Sequence, residues 1–145
     1  MEEKIEKIYD GKTFLGMIIR KDYHTEGIAF MTQDEDPMQL GYMNRAKDYV
    51  IAPHVHNIVP RTITNTHETL IIRKGKVRVD FYSDEKVYLE SRVANEGDVV
   101  LLAYGGHGFK MLEDGEMIEV KQGPYCGMQD KVRFEPIEDS NVIIK

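Results

Sequence analysis

The chain reads as short β-rich runs that break off at turn residues, and in places apolar and polar residues alternate with a period of two. The clearest run is Lys76-Val77-Arg78-Val79-Asp80-Phe81-Tyr82. Val77, Val79 and Phe81 fall on one face, and Arg78, Asp80 and Tyr82 on the other. Successive side chains of a strand point to opposite sides of its sheet, so this spacing predicts β-structure rather than helix. β-rich runs between turn residues predict strands over 14–20, 27–32, 38–43, 49–56, 62–66, 68–73, 76–82, 87–93, 99–103, 108–112 and 116–121. Lys74-Gly75-Lys76, Asn95-Glu96-Gly97-Asp98, Gly105-Gly106 and Glu113-Asp114-Gly115-Glu116 separate several of them and read as turns. Helix is expected only in the first few residues and near 44–47. Many short, evenly spaced strands punctuated by glycine predict an all-β, antiparallel sandwich or barrel.

Length and charge narrow the class. The 145 residues suit one domain with a single core, and no repeat or low-complexity stretch divides them. Net charge is −6, with Lys and Arg scattered among acids, so no concentrated basic face exists for nucleic acid. No apolar stretch reaches bilayer length, and the charged N-terminus lacks a secretory signal, so no membrane partner is expected. The single cysteine, Cys126, cannot form an intramolecular disulfide, and the expected location is cytoplasmic.

Candidate chemistry concentrates in the histidines. In Pro53-His54-Val55-His56 the two imidazoles stand two residues apart, so on a strand both would face one point. Glu68 shares its face with Leu70 and Ile72, which reads as interior, and an interior carboxylate needs a partner. A metal ion is one such partner; a salt bridge to Arg61, Arg73 or Arg78 is the alternative. His107 follows Gly105-Gly106 and offers a third imidazole. Three imidazoles and a carboxylate suit one divalent transition metal, with Zn, Fe, Mn and Ni all open. The plainer reading of His54 and His56 is two polar residues on an exposed strand face. His67, adjacent to Glu68, is expected on the opposite, outer face. Phe109 and Met111 share the parity of His107 and are expected to fill the interior.

These residues carry a resemblance to the cupin superfamily. His54-x-His56, then Glu68, six residues and Gly75 resemble the first cupin motif; Gly97-Asp98, the apolar run 99–102, Gly105 and His107 resemble the second. The departures are an eleven-residue insert, 57–67, where most cupins have a short link; Ala103 in place of a usual proline; a histidine one residue early; and Met111 near a common asparagine. The closing run Ile118 to Tyr125 with Asp130-Lys131 resembles cupin-fold metalloproteins of bacterial surface-polysaccharide (O-antigen) gene clusters. The resemblance implies a jelly-roll β-barrel (double-stranded β-helix) with the metal held by His54, His56, Glu68 and His107. It also implies a homodimer. On this reading 1–145 is a single cupin domain: 1–47 forms N-terminal strands or an arm, 48–125 the barrel core and 126–145 an extension.

Three functions follow as expectations. One is a metal-dependent enzyme, of isomerase or epimerase or dioxygenase type, acting on a small carbohydrate or oxo acid. Another is a non-catalytic cupin that binds a sugar or nucleotide-sugar. The third is a metal-free epimerase-like barrel with a histidine base and a tyrosine acid. Arg61, Lys121 and Tyr125 are candidate substrate contacts, each with a plain alternative as a loop or strand-end residue. No catalytic residue beyond the metal ligands is identified.

Overall fold

The computed structural model describes residues 3–145 and is built almost wholly of antiparallel strands. Ten are present: β1 (Ile5–Asp10), β2 (Thr13–Ile19), β3 (Gly27–Phe30), β4 (Gly41–Asn44), β5 (Glu68–Lys74), β6 (Lys76–Tyr82), β7 (Tyr88–Asn95), β8 (Val99–Leu102), β9 (Gly106–Met111) and β10 (Glu116–Lys121). The chain divides into two compact units. One comprises the residues up to Tyr23 together with Asn65–Lys145; the other is His24–Thr64.

The larger unit holds two sheets, with strand orders β1-β2-β8-β5-β10 and β7-β6-β9. One buried cluster draws on both. Ile8, Leu15, Ile18, Leu70, Ile72, Val100 and Leu102 come from the first sheet, and Val77, Val79, Phe81 and Ala94 from the second. The alternation in β6 therefore holds as expected, and Phe81 is only 1% exposed. Burial of a side chain of this size contributes about 1.5–3 kcal/mol. The β5–β6 turn depends on Gly75, which has φ 81° and whose missing Cβ would lie 2.3 Å from the Asp114 carbonyl oxygen. Both facts restrict the position to glycine. The sheets do not close into a barrel, because each keeps free edges.

The outer face of β6 is as well packed as its inner face. Arg78 grips Asp80 at 2.8 and 3.0 Å and reaches Asp139 at 2.9 Å, in a short 3-10 turn near the C-terminus. The last residues then run beside β7, where the Ser91 N–H donates to Ile143 O and the Lys145 N–H donates to Ser91 O. Contacts with Lys110 and Arg78 hold the Asp139 carboxyl below the ordinary carboxylate range. A carboxylate with a depressed folded-state pKa stabilises above its unfolded value and ceases to do so as pH falls through the folded one. Hydrogen exchange at the Lys145 amide, taken relative to its intrinsic rate, should therefore accelerate in acid, below the ordinary aspartate range. Asp139→Asn should make it fast at neutral pH and remove that acid limb.

A second ionic chain ties β1 to the rest. Arg20 contacts Glu6 at 2.6 Å and Asp98 at 2.8 Å, and Arg92 contacts Glu6 at 3.2 Å and Glu90 at 2.7 Å. Ile5–Asp10 is a strand, not the helix expected of the first residues, because its backbone pairs along β2, and Glu6 is matched by Arg20 and Arg92.

The smaller unit is a β3–β4 hairpin followed by a long irregular segment. Thr32, Gln39 and Asp36 tie the hairpin loop, and the Arg45 guanidinium stacks 4.6 Å over the Tyr49 ring. No helix forms at 44–47, since Asn44 closes β4 and its side-chain amide donates to Thr25 O. The strands expected at 49–56 and 62–66 are also absent. Neither stretch has a partner ladder among the described residues, and Pro53 withholds an N–H from the first.

Candidate functional site

The sequence-identified ligands fall into two pairs, one in each unit. Glu68 opens β5 and His107 lies on β9, so the two sheets of the larger unit bring them together. His107 Nε2 lies 3.1 Å from Glu68 Oε2. Glu68 is buried on the face of Leu70 and Ile72, as its parity requires, and the His107 side chain is partly exposed. Glu68 thus has His107 as its partner; Arg78 is taken by Asp80 and Asp139. The hydrogen bond from His107 holds the Glu68 carboxyl below the usual glutamate range. Burial opposes that shift, and the His107, Lys131 and Lys121 charges add to it.

His107 is delivered by Gly105, which has φ 74° and no room for a side chain. A Cβ there would stand 2.5 Å from Tyr82 O and 2.6 Å from Leu15 Cδ2. The neighbouring strand adds a cation: Lys121 lies opposite Glu68 in the β5–β10 register and sits 3.5 Å from Asp130. Asp130 also accepts from the Thr66 hydroxyl at 2.8 Å, which with Lys121 holds its carboxyl low. Spacing along the chain gives no sign of this Thr66–Asp130–Lys121 group, because 64 residues separate Thr66 from Asp130. Tyr125 is 86% exposed, and Cys126 is a free, exposed thiol whose Sγ is 3.8 Å from Asp130.

His67 departs from expectation. It is 1% exposed and packs edge-on against Tyr104, with ring centroids 5.0 Å apart. Its backbone carbonyl accepts from the Gln122 N–H, which carries the β5–β10 pairing one residue further. Phe109 and Met111 depart in the other direction. Expected inside, they are 39% and 40% exposed.

In the smaller unit, His54 and His56 lie exposed in the irregular segment with their rings 5.2 Å apart, edge to face. His54 Nδ1 is 2.9 Å from Ala52 O. When that nitrogen carries the proton and donates to the carbonyl, Nε2 keeps its lone pair, the form an imidazole takes as a metal ligand. Arg61 is exposed in the same segment.

The donor types fit a divalent transition metal. Ligands about 2.1 Å from a metal and at right angles to one another stand roughly 3 Å apart, the separation that His107 and Glu68 already have. Among the described residues, no group of three or more His, Cys, Asp or Glu side chains stands ready to hold an ion. Among those residues, no helix is long and apolar enough to cross a membrane. No family model matches the chain, and neither a curated protein nor a solved structure matches it.

Proposed function

We propose that this chain is a cupin-type jelly-roll metalloprotein whose metal is held by His54, His56, Glu68 and His107. The observation that carries the reading is the Glu68–His107 contact, an interior carboxylate from one sheet meeting an imidazole from the other at 3.1 Å. A jelly-roll alternates its strands between two facing sheets, and the strand orders β10-β5-β8 and β9-β6-β7 support that architecture. A free cysteine supports a reducing, cytoplasmic setting. When bound, the metal supplies a Lewis acid for two oxygens of a small carbohydrate or oxo acid. Lys121, beside Glu68 in register, offers a cation to an acidic substrate group, and Arg61 a planar fork. Tyr125, fully open to solvent, is the weakest of the three contacts.

Metal analysis of the purified protein tests the reading. Close to one transition metal per chain is expected, falling below about a tenth in His54→Ala/His56→Ala. Metal retained by that double variant would remove these ligands from the proposal. Incubation of the loaded protein with sugars, nucleotide-sugars and oxo acids then separates the two functions: product formation marks an enzyme, and saturable binding without product marks a binding cupin.

A further inference from the structure

Glu68 and His107 are held unequally. β5 is flanked on both sides, so Glu68 has Leu102 of β8 opposite it on one side and Lys121 of β10 on the other. His107 lies on an edge strand. Among the described residues β9 has one ladder neighbour, β6, where Phe81 stands opposite His107. Register along β6 fixes the height of His107 but not the gap between the two sheets, and that gap decides whether the 3.1 Å contact forms. The shared core sets the gap around Phe81. Glu68, however, is the first residue of β5 and His107 the second of β9, and strand ends open readily unless they are tied.

Residues 130–134 run from one sheet to the other at this end. The Asp130 side chain is 9% exposed; its carboxylate accepts from the Thr66 hydroxyl at 2.8 Å and lies 3.5 Å from Lys121 Nζ. Thr66 precedes Glu68 by two residues, and Lys121 faces Glu68 across the β5–β10 ladder, so this anchor belongs to the Glu68 sheet. Four residues on, the Phe134 ring packs edge-on against Tyr82, with centroids 5.0 Å apart. It also lies on Gly106, where a Cβ would stand 3.2 Å from Phe134 Cζ. Tyr82 and Gly106 are partners in the β6–β9 register, and the Ile137 N–H donates to the Tyr82 hydroxyl at 2.9 Å. The second anchor therefore belongs to the other sheet, one residue from His107. Four residues of chain reach at most about 14 Å, so a link this short allows its two anchors little separation.

We propose that residues 130–134 form a clasp that holds the two sheets together at Glu68 and His107, with Asp130 and Phe134 as positioning residues for that pair. Neither side chain is one of the proposed ligands; each acts through the strands it grips. Lys131, Val132 and Arg133 between them are exposed, as suits a bridging link rather than a piece of core. A clasp works only with both ends attached. Release of either end should undo it, and release of the second should add little, the non-additivity expected of residues that act as one unit. The consequence for metal rests on the metalloprotein reading above; the holding of Glu68 against His107 does not.

The test uses the full-length chain with Asp130→Ala, Phe134→Ala and the two combined. In chelator-treated wild type the His107 Nε2 proton, held on Glu68, should exchange with water slowly enough to give its own proton NMR signal. Each single variant should exchange that proton at least about tenfold faster, and the double variant no faster than the quicker single. The Ile72 amide donates to Asp98 O at 3.0 Å within the larger unit. It should stay protected throughout, which shows that the fold persists. Zinc should bind each single variant roughly tenfold more weakly than wild type, and the double variant no more weakly than that. If an alanine variant loses the Ile72 protection, Phe134→Leu and Asp130→Asn decide in its place, and unchanged His107 exchange in both overturns the clasp. So does a His107 proton that keeps its wild-type exchange in both alanine variants, or one already in fast exchange in the wild type. A double variant whose effect is the product of the two singles also overturns it, leaving two separate contacts. A wild type that takes up no zinc yet shows the expected exchange pattern keeps the clasp and removes the metal reading.

Discussion

Replacing Arg78 by alanine should lower the free energy of unfolding by roughly 3–5 kcal/mol, the usual cost of breaking a buried ion pair from one side. The Arg78 side chain is 7% exposed and Asp80 is 4% exposed. The guanidinium meets both Asp80 oxygens and spends a third N–H on Asp139. Without it, Asp80 keeps, among the described residues, the Ser91 hydroxyl 2.5 Å away to compensate a full charge in a desolvated place. Because Ser91 also meets the Tyr88 hydroxyl and anchors the C-terminal residues, the loss should spread to the tail. Urea unfolding measures the total, and hydrogen exchange at Lys145 measures the spread. Arg78→Met/Asp80→Leu should be less damaging than Arg78→Ala, since it removes both charges and keeps apolar volume. If Arg78→Ala unfolds within about 1 kcal/mol of wild type, water already serves the pair and the network is not structural.

What could be read in the sequence, and what could not, follows the range of the interactions. The alternation in Lys76–Tyr82 is a local property of an extended chain, and it correctly assigned Val77, Val79 and Phe81 to the core. The interior place of Glu68 was legible for the same reason, since Leu70 and Ile72 fix its parity. The turns at Gly75 and Gly97 were legible because a positive φ selects glycine. Whatever depends on a distant partner was not. Helix was expected in the first few residues, and nothing local announces that Glu6 meets Arg20 and Arg92, the second from 86 residues away. Phe109 and Met111 have the parity of core residues and would be core residues if another strand followed β9. Residues 49–56 have the composition of a strand and lack a ladder, because a strand exists only where a neighbour takes its hydrogen bonds.

The same division separates the two halves of the candidate site. Motif spacing selected four side chains. The fold of the larger unit brings two of them to 3.1 Å, while the other two reside in a segment whose pairing no local rule decides. His67 shows how weak parity is at a strand end. A surface position was expected for it opposite Glu68, but the side chain is buried with Tyr104 packed edge-on against it.

Zinc at about a thousand times its dissociation constant should raise the unfolding free energy of the wild type by about 4 kcal/mol, because a ligand that binds only the folded state stabilises it by mass action. His107→Ala should show none of that gain. An ionised carboxylate can only accept, so without metal the 3.1 Å contact requires a proton on His107 Nε2, donated to Glu68 Oε2. The cation would replace that proton, so ligation demands neutral His107 and ionised Glu68. The second demand is already met at neutral pH, because the hydrogen bond from His107 depresses the Glu68 carboxyl despite its burial. A depressed folded-state pKa stabilises above the unfolded value and is lost as pH falls through the folded one. The zinc-dependent gain should therefore vanish in acid and be largest above neutrality. Glu68→Gln keeps the shape of the side chain and one acceptor but removes the charge. It should retain the fold, bind zinc at least tenfold more weakly, and lose the acid limb that Glu68 contributes to metal-free stability. Equal stabilisation of wild type, Glu68→Gln and His107→Ala by zinc would mean that the ion binds elsewhere, and that the 3.1 Å contact is an ordinary histidine–carboxylate pair.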